Sequence, residues 1–253
     1  KVDGSLSAVE VWLDGVRVND LSMTLPLGTN RIGELRLGEH ASGRTYDLAF
    51  DDVIASSAWI ATAPAMRVFS DDFETGNLSR WSSSRRMTVQ TAHKLRGTYG
   101  ARATGTGSYA DATRILSSSL PELYYRSRFK IISQGANQVT LMGMRAPGGG
   151  AMLSVSVNAK GMLTLYNGIT AKTLTSTTAV GKGTWHDLQL HVRIAGTGGL
   201  VEVWLDGTKV SALSGTISLG TNPIGQLRLG EHSTGRTYDV AFDDVEASQS
   251  FMP

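Results

Sequence analysis

Short stretches in which hydrophobic and polar residues alternate recur along most of the chain, separated by turns rich in glycine, asparagine and serine. Leu188 to Ile194 is the clearest case, because aliphatic residues hold every second position and polar residues stand between them. A period of two puts successive side chains on opposite faces of a strand, so we expect one face in a core. Further strands are predicted over residues 86–90, 124–132, 139–144, 152–157 and 162–166.

Two Asp-Gly pairs predict tight hairpins. Asp14-Gly15 and Asp206-Gly207 each separate two strand-like runs, and a type I′ turn favours such pairs because both of its central residues need positive φ. The many short strands, together with the near absence of a helical period, predict an all-β fold with two stacked antiparallel sheets, a sandwich or jelly roll.

The chain contains a long internal repeat. Val9 to Ser56 aligns without a gap to Val201 to Ser248, at an offset of 192 residues, and 35 of the 48 positions are identical. Both copies are expected to share one fold. The residues that precede the second copy have no counterpart before the first, which predicts one complete domain and one fragment. The expected divisions are 1–56 for the C-terminal part of a preceding repeat, 57–66 for a linker, 67–248 for the complete domain, and 249–253 for a tail or the start of a next linker.

The fragment lacks the strands that would cover hydrophobic residues such as Val9, Leu35 and Leu37. Alone, it would expose sheet edges and an apolar face. We therefore expect another polypeptide to complete residues 1–56. This polypeptide would be either the remainder of a cleaved first repeat or a neighbouring copy that exchanges strands.

Composition excludes several classes of protein. The chain has 24 basic and 22 acidic residues, and no basic cluster exceeds Arg85-Arg86, so nucleic acid is not an expected partner. No apolar run reaches the length of a membrane-spanning helix. The absence of cysteine removes disulfides and cysteine-ligated metals, so stability must come from a large core.

Several motifs, in this order, resemble a known family. Trp185-His186 precedes an alternating strand, Val201 to Gly207 gives an apolar strand that ends in Asp-Gly, and Leu227 to Gly230 gives a late Leu-x-Leu-Gly strand. Phe69 to Gly76 and Ala241 to Val245 are similar to first and last strands. Together the motifs resemble laminin-G-like and concanavalin-A-like jelly-roll domains of bacterial secreted repeat proteins. The resemblance implies a location outside the cell or at its surface and, in many such modules, binding of a polysaccharide or a cell-surface glycan.

Two acidic pairs, Asp71-Asp72 and Asp243-Asp244, stand near the ends of the predicted domain. First and last strands of a jelly roll are often neighbours, and convergent carboxylates form the oxygen cage that calcium requires. The alternation changes phase at the second pair, which predicts a bulge that exposes further carbonyl oxygens.

The family resemblance implies a structural Ca²⁺ at such a place. Carried over to this chain, it gives Asp72, Glu74 and Asp244 as ligands, with Asp243 as a further one. The alternative is that these carboxylates are exposed at strand ends and form ion pairs with residues such as Arg67 or Arg236.

A polar loop, Glu231 to Asp239, recurs in the first copy as Glu39 to Asp47. Its side chains form either a ligand-binding loop or a hairpin loop whose residues cap one another. Two aromatic residues lie in looser contexts, where a ring could stack on a sugar. The candidate ligand-binding residues are therefore Trp81, Tyr109, Glu231, His232, Arg236 and Tyr238.

Motifs of known enzyme classes are missing. The sequence contains no Glu-x-Asp or Glu-x-x-x-Glu pair, no Gly-x-Ser-x-Gly and no His-Glu-x-x-His. We therefore expect no enzyme but a carbohydrate-binding or adhesive module with a structural calcium. One alternative is a structural spacer or filament-forming repeat that exchanges strands and binds no small ligand. A glycan-active enzyme is the third reading.

Overall fold

The computed structural model describes residues 4–13, 16–39, 41–48, 55 and 67–252. The chain divides into two compact units, Lys1–Pro64 and Ala65–Pro253. Strands are numbered β1 to β20 in chain order. The first unit contains two short two-stranded sheets and one 3₁₀ turn: β1 (Ser7–Val9) with β4 (Met23–Leu25), β2 (Trp12–Leu13) with β3 (Val16–Arg17), and the turn at Asn19–Leu21.

The second unit is a sandwich of two antiparallel sheets. In the seven-stranded sheet the order is β14-β13-β12-β11-β19-β9-β6. Its strands are β6 (Ser83–Arg85), β9 (Ala110–Leu120), β11 (Val139–Arg145), β12 (Ala151–Val157), β13 (Met162–Asn167), β14 (Lys172–Ala179) and β19 (Ile224–Glu231).

The other sheet has nine strands in the order β17-β16-β15-β10-β20-β8-β7, with β18 paired to β16 and β5 paired to β20. Its strands are β5 (Arg67–Asp71), β7 (Thr88–Gln90), β8 (Gly100–Thr106), β10 (Glu122–Gln134), β15 (Trp185–Arg193), β16 (Gly199–Leu205), β17 (Thr208–Lys209), β18 (Gly215–Ile217) and β20 (Thr237–Ser248). A 3₁₀ turn covers Ser211–Leu213.

The last two long strands lie inside the two sheets. Strand β19 pairs with β11 on one side and β9 on the other, and β20 pairs with β10 and β8. Both belong to the repeated segment, so the second copy of the repeat joins strands that lie far earlier in the chain. The predicted all-β, antiparallel two-sheet jelly-roll sandwich is confirmed.

Alternating residues of the strands form the core between the sheets. In β10 the side chains of Leu123, Tyr125, Phe129 and Ile131 are fully buried and Ser127 continues their alternation, whereas the residues at the intervening positions are only partly buried. Full burial of a large apolar side chain contributes about 1.5–3 kcal/mol. A core of this size stabilises the sandwich without any disulfide.

Two local predictions are confirmed. Asp206 and Gly207 have φ values of 51° and 75°, as a type I′ turn between β16 and β17 requires. The pairing of β10 with β20 shifts register between Arg126 and Arg128, and Asp244 has a φ of 45°. The acidic pair therefore does lie at a bulge of the last strand.

The C-terminal residues cover part of the outer face of the nine-stranded sheet. The ring of Phe251 packs edge-on against Trp204 at 5.4 Å and against Tyr124 at 6.1 Å, measured between centroids. The backbone N–H of Met252 donates to Gln189 Oε1 at 3.3 Å. Because this segment lies over β15, the predicted outward-facing residues Gln189 and His191 are buried. Among the described residues, no helix is long and apolar enough to cross a membrane.

Candidate functional site

A row of polar residues crosses the outer face of the seven-stranded sheet. Tyr166 of β13 pairs with Ser154 of β12, Ser154 pairs with Gly143 of β11, and Gly143 pairs with Arg228 of β19. Directly paired residues share one face of a sheet. Because Leu229, the next residue after Arg228, is fully buried in the core, this row lies on the face away from the core.

A cavity of about 50 Å³ opens on this face. Arg145, Ser154, Tyr166, Arg228 and His232 are among its lining residues, together with Gly143. A Cβ atom on Gly143 would lie 2.7 Å from the carbonyl oxygen of Leu153. The packing of β11 against β12 therefore requires glycine here, and the missing side chain leaves open the middle of the row.

Cationic side chains surround one buried carboxylate beside the cavity. Asp111 of β9 accepts two hydrogen bonds from Arg85, from Nε to Oδ1 at 2.8 Å and from Nη2 to Oδ2 at 3.0 Å. Nε of Arg228 lies 3.5 Å from Asp111 Oδ2. Arg145 donates from Nη2 to the carbonyl oxygen of Gly149. Arg85 and Arg228 thus share one carboxylate, and Arg145, which also lines the cavity, is held by a backbone carbonyl.

Burial lowers the pKa of Arg228, and the charges of Arg145 and Arg85 lower it further, while Asp111 opposes them. Arg228 therefore carries its charge in a largely buried place beside two other arginines and one carboxylate. Within the described part of the chain, three buried polar atoms of the cavity have no hydrogen-bond partner: Nε of Arg145, Nε of Arg228 and Nδ1 of His232. Buried polar atoms are nearly always paired, so such atoms require an explanation.

His232 is the one predicted ligand-binding residue that lines the cavity. Burial, followed by the charge of Arg228, lowers the pKa of its imidazole. A lowered pKa keeps the ring neutral at neutral pH. A neutral imidazole has one ring nitrogen that can accept a proton. In His232, Nδ1 makes no hydrogen bond and is free for this role.

The other residues of the predicted loop hold the structure together. Glu231 is fully buried, and its Oε2 accepts hydrogen bonds from the Thr140 backbone N–H at 2.8 Å and from Arg236 Nη1 at 2.6 Å. Its Oε1 accepts the backbone N–H of Ser233 at 2.7 Å. Tyr238 is buried and donates its hydroxyl to the carbonyl oxygen of Ser108 at 2.9 Å. These contacts match the alternative in which the loop residues cap one another.

Of the two aromatic candidates, Trp81 is buried. Its Nε1 donates to Asp71 Oδ2 at 2.8 Å, and its ring packs edge-on against Phe69 at 4.9 Å. Contrary to expectation, this ring is not exposed for stacking on a sugar. Tyr109 is half-buried, and the guanidinium carbon of Arg85 lies 4.0 Å from its ring centroid. Tyr109 therefore lies beside the cationic cluster, where it contacts the arginine that holds Asp111.

Most carboxylates of the predicted calcium site accept backbone N–H groups. Asp243 Oδ2 accepts the N–H groups of Leu95 and Arg96 at 2.7 and 3.2 Å, and its Oδ1 accepts that of Asp244 at 2.8 Å. Glu74 Oε1 accepts the N–H groups of Thr98 and Tyr99, each at 2.9 Å. These hydrogen bonds fasten the loop between β7 and β8 to the sheet.

The remaining predicted ligands follow the same pattern. Asp72 Oδ1 accepts the backbone N–H of Glu74 at 3.3 Å, and Asp244 Oδ2 lies 3.7 Å from Arg96 Nε. Within the described ranges, no three His, Asp or Glu side chains are grouped so that they could hold a metal ion. The donor set does not fit a calcium cage, because N–H groups and an arginine face these oxygens. The thermal midpoint measured with and without calcium tests the predicted site.

The arginines that the sequence suggested as ion-pair partners of the two aspartate pairs have other partners in the structure. Arg67 pairs with Glu246 at 3.1 Å and Arg236 pairs with Glu231, not with the two aspartate pairs. Burial raises the pKa of Asp71 and of Asp243, although backbone N–H groups oppose the rise in both cases.

Sequence reasoning missed Asp111, Arg145 and Tyr166, and it named Arg85 only as part of a basic pair; the four residues belong to four different strands. One signal was present: Arg228 stands between two leucines of the Leu-x-Leu-Gly strand. An arginine in the middle of a strand that lies inside a sheet faces either solvent or a cavity.

Comparison with known proteins identifies the fold. No family model matches the chain, and no curated protein matches its sequence. The endo-β-1,4-glucuronan lyase of the fungus Trichoderma reesei is a similar structure, with 18% identity and a TM-score of 0.58, covering 74% of this chain and 97% of the lyase. The cellulose-induced protein Cip1 is similar at 17% identity and a TM-score of 0.60, covering 72% of this chain and 97% of its own.

A third similar structure is the binding domain of botulinum neurotoxin DC in complex with SialylT. Its identity is 9% and its TM-score 0.53, over 74% of this chain and 48% of that one. At such identities the likeness concerns the fold alone. The chain is similar to β-sandwich proteins of the jelly-roll type, several of which bind or act on carbohydrates according to their names.

The expectation that the chain is not an enzyme is wrong. The similar structures include a glucuronan lyase, and a sialidase with a TM-score of 0.52 over 19% of that chain. Enzymes therefore occur among proteins with this sandwich, and the absence of a few sequence motifs does not exclude catalysis. The cavity on the seven-stranded sheet is the candidate functional site, because it combines unpartnered polar atoms with cationic side chains.

Proposed function

We propose that the unit of residues 67–252 binds and cleaves an acidic polysaccharide, one that contains uronate residues, on the outer face of the seven-stranded sheet. One observation carries the proposal. The buried Nε atoms of Arg145 and Arg228 and Nδ1 of His232 lack hydrogen-bond partners and line the same cavity. A carboxylate would supply acceptors for the two guanidinium groups.

The charge of the site favours an acidic sugar over a neutral one. Arg85 and Arg228 share Asp111, Arg145 adds a positive charge that acts on Arg228, and Arg228 is largely buried, so an additional anion would be attracted strongly. A neutral sugar would leave the positive charges as they are. The glucuronan lyase, whose named substrate is a uronate polymer, has a similar fold.

The reaction that fits a neutral histidine beside cationic groups is β-elimination. The arginines would neutralise the uronate carboxylate, which acidifies the hydrogen on the adjacent ring carbon, C5. His232 would accept this proton as the C4–O glycosidic bond breaks and a C4=C5 double bond forms. The departing oxygen keeps the bonding electron pair and takes up a proton, for which the hydroxyl of Tyr166 is the candidate donor in the same cavity. The reaction needs no oxidant and no water.

The test uses the full chain with polyglucuronate, alginate and pectate, and a neutral β-glucan as the control substrate. Cleavage by elimination creates an unsaturated uronate that absorbs ultraviolet light. We expect product from at least one polyuronate and none from the neutral glucan. Arg228→Gln should weaken polymer binding by about 2–5 kcal/mol, because it removes a buried charge from the site. His232→Gln should lower the rate by about 10²- to 10⁴-fold with little change in binding.

The repeat offers a matched control. Arg36 is the counterpart of Arg228 in the first copy, and its side chain is 66% exposed. Arg36→Gln should leave binding and cleavage unchanged. The proposal fails if no polyuronate yields unsaturated product, or if Arg228→Gln and Arg36→Gln behave alike while both variants keep the wild-type melting temperature.

A further inference from the structure

The first copy of the repeat exposes large apolar side chains that its second copy buries. The exposed fractions are 70% for Ile32, 70% for Leu35, 58% for Leu37, 55% for Tyr46 and 56% for Leu48. The residues 192 positions later are exposed by 0% for Ile224, 0% for Leu227, 0% for Leu229, 2% for Tyr238 and 0% for Val240. The apolar residues are nearly the same in both copies, so the difference lies in what surrounds them.

The second copy shows what covers these side chains. Strand β19, which contains Leu227 and Leu229, lies between β9 and β11, and β20, which contains Tyr238 and Val240, lies between β8 and β10. All four flanking strands come from residues 100–145. In the first unit, residues 32–37 and 44–48 form no strand. They have the sequence of two inner strands without the strands that would flank them.

We propose that residues 4–48 are a strand-donating segment whose partner is a β-sandwich body of the kind formed by residues 67–192, without the strands that follow β15. The segment would insert one strand into the middle of each sheet of that body. Main-chain hydrogen bonds on both sides of each strand would hold it, and alternate side chains would fill the core. This proposal is independent of the proposed activity on polysaccharides.

Stoichiometry argues against a second copy of this chain as the partner. Residues 1–253 include one such body, residues 67–192, and two copies of the segment that follows it. If residues 4–48 of one chain entered the body of another, they would displace its residues 196–240 and expose the same apolar side chains there. Such an exchange buries no additional apolar surface, and burial is the main driving force of association. A body that lacks these strands would bury the apolar side chains of residues 4–48 without exposing any others, so its association gains the full free energy of that burial.

Part of the donor is already ordered in the form it would have when bound. The backbone N–H of Gly4 donates to the carbonyl oxygen of Gly28 at 2.9 Å, as Gly196 does to Gly220 at 2.9 Å. Strands β1 and β4 pair in the same register as β16 and β18. The conformational entropy lost on binding is therefore limited mainly to residues 31–48.

The experiment places an extra copy of residues 65–192 directly before Lys1, followed by the complete chain, because Lys1 is the counterpart of Arg193. This arrangement repeats the natural order of residues 65–253, which form a compact unit. Amide hydrogen exchange is then compared between the original and the extended chain. We expect amides of residues 32–39 to exchange about 1000-fold more slowly in the extended chain, because inner strands open only in near-global unfolding.

Two variants of the extended chain make the test specific. Leu37→Asp should abolish the new protection, because it would bury a charge at the position that matches Leu229. Glu34→Gln should retain it, because the second copy has glutamine at the matching position, Gln226. The proposal is overturned if residues 32–39 exchange equally fast in both chains. It is also overturned if Leu37→Asp leaves the protection intact.

Discussion

The two copies of the repeat have the same local structure in their first halves. Residues 19–21 and 211–213 both form a 3₁₀ turn. The backbone N–H of Val11 donates to Ser22 Oγ at 2.9 Å, and that of Val203 donates to Ser214 Oγ at 3.0 Å. These contacts join residues close in sequence, so each copy can make them without help from the rest of the chain.

The second halves of the copies differ. Ile224–Glu231 and Thr237–Ser248 form long strands inside the two sheets, whereas residues 32–37 and 44–48 form none. Sequence cannot explain the difference, because nearly all of these positions are identical or similar. A strand of this kind is stabilised by non-local partners, and its own pattern of residues is necessary but not sufficient.

The loop that begins at Glu39 in the first copy and at Glu231 in the second makes local contacts in both copies and a contact with a distant strand in the second. Glu39 accepts the backbone N–H of Ala41 and a hydrogen bond from Arg44, each at 2.8 Å, and Glu231 makes the matching contacts with Ser233 and Arg236. The hydrogen bond from the Thr140 N–H to Glu231 connects it to a distant strand.

The largest expected difference between the copies concerns a pair of leucines. Leu229→Ala should lower the free energy of unfolding of the second unit by about 2–5 kcal/mol, because it leaves a cavity in the core between two sheets. Leu37→Ala should change the free energy of unfolding of the first unit by less than about 0.5 kcal/mol, since the side chain of Leu37 is 58% exposed. Chemical denaturation followed by tryptophan fluorescence measures both. Equal effects would show that Leu37 is also packed in a core, which would remove the contrast.

A smaller difference is expected for a pair of glutamates. Glu231→Gln should lower the free energy of unfolding by about 1.5–3 kcal/mol. The substitution removes the charge from a buried carboxylate that accepts hydrogen bonds from Arg236 and two backbone N–H groups. Glu39→Gln should cost less than about 1 kcal/mol, since its ion pair with the largely exposed Arg44 is solvent-screened. The same denaturation experiment compares them. A larger effect for Glu39→Gln would contradict the importance of the distant strand.

The strands and hairpins could be predicted from sequence because their signals are local. The alternation in Leu188 to Ile194 and the Asp206-Gly207 turn each report on a few neighbouring residues. The repeat showed which segments share a sequence.

The candidate site depends on how distant strands are arranged. Arg85, Asp111, Arg145 and Arg228 meet only because β6, β9, β19 and β11 are neighbours in this order. Neither that order nor the register can be read from any one strand. The prediction that the Trp81 ring is exposed is wrong for a related reason. Its buried partner Asp71 lies on β5 of the nine-stranded sheet, and the sequence does not show that the two residues meet.

The smallest expected effect concerns the acidic pairs, which occur in both copies as Asp51-Asp52 and Asp243-Asp244. The first pair lies outside the described residues. In the second, Asp243 accepts backbone N–H groups from Leu95 and Arg96, which belong to a loop that has no counterpart in the first copy. Donors of this kind and a metal ion compete for the same oxygen lone pairs.

We therefore expect the thermal midpoint of the full chain to be the same in chelator and in millimolar calcium at pH 7. A ligand that binds only the folded state must raise the midpoint, so a clear rise would restore the predicted calcium cage. Magnesium is the control for a general salt effect. Because burial raises the pKa of Asp243, this group favours the folded state most below its ordinary pKa, and its contribution is lost as the pH rises through the raised value. A bound cation would reverse that sign by favouring the ionised carboxylate, so midpoints measured from pH 4 to pH 7 with and without calcium separate the two arrangements.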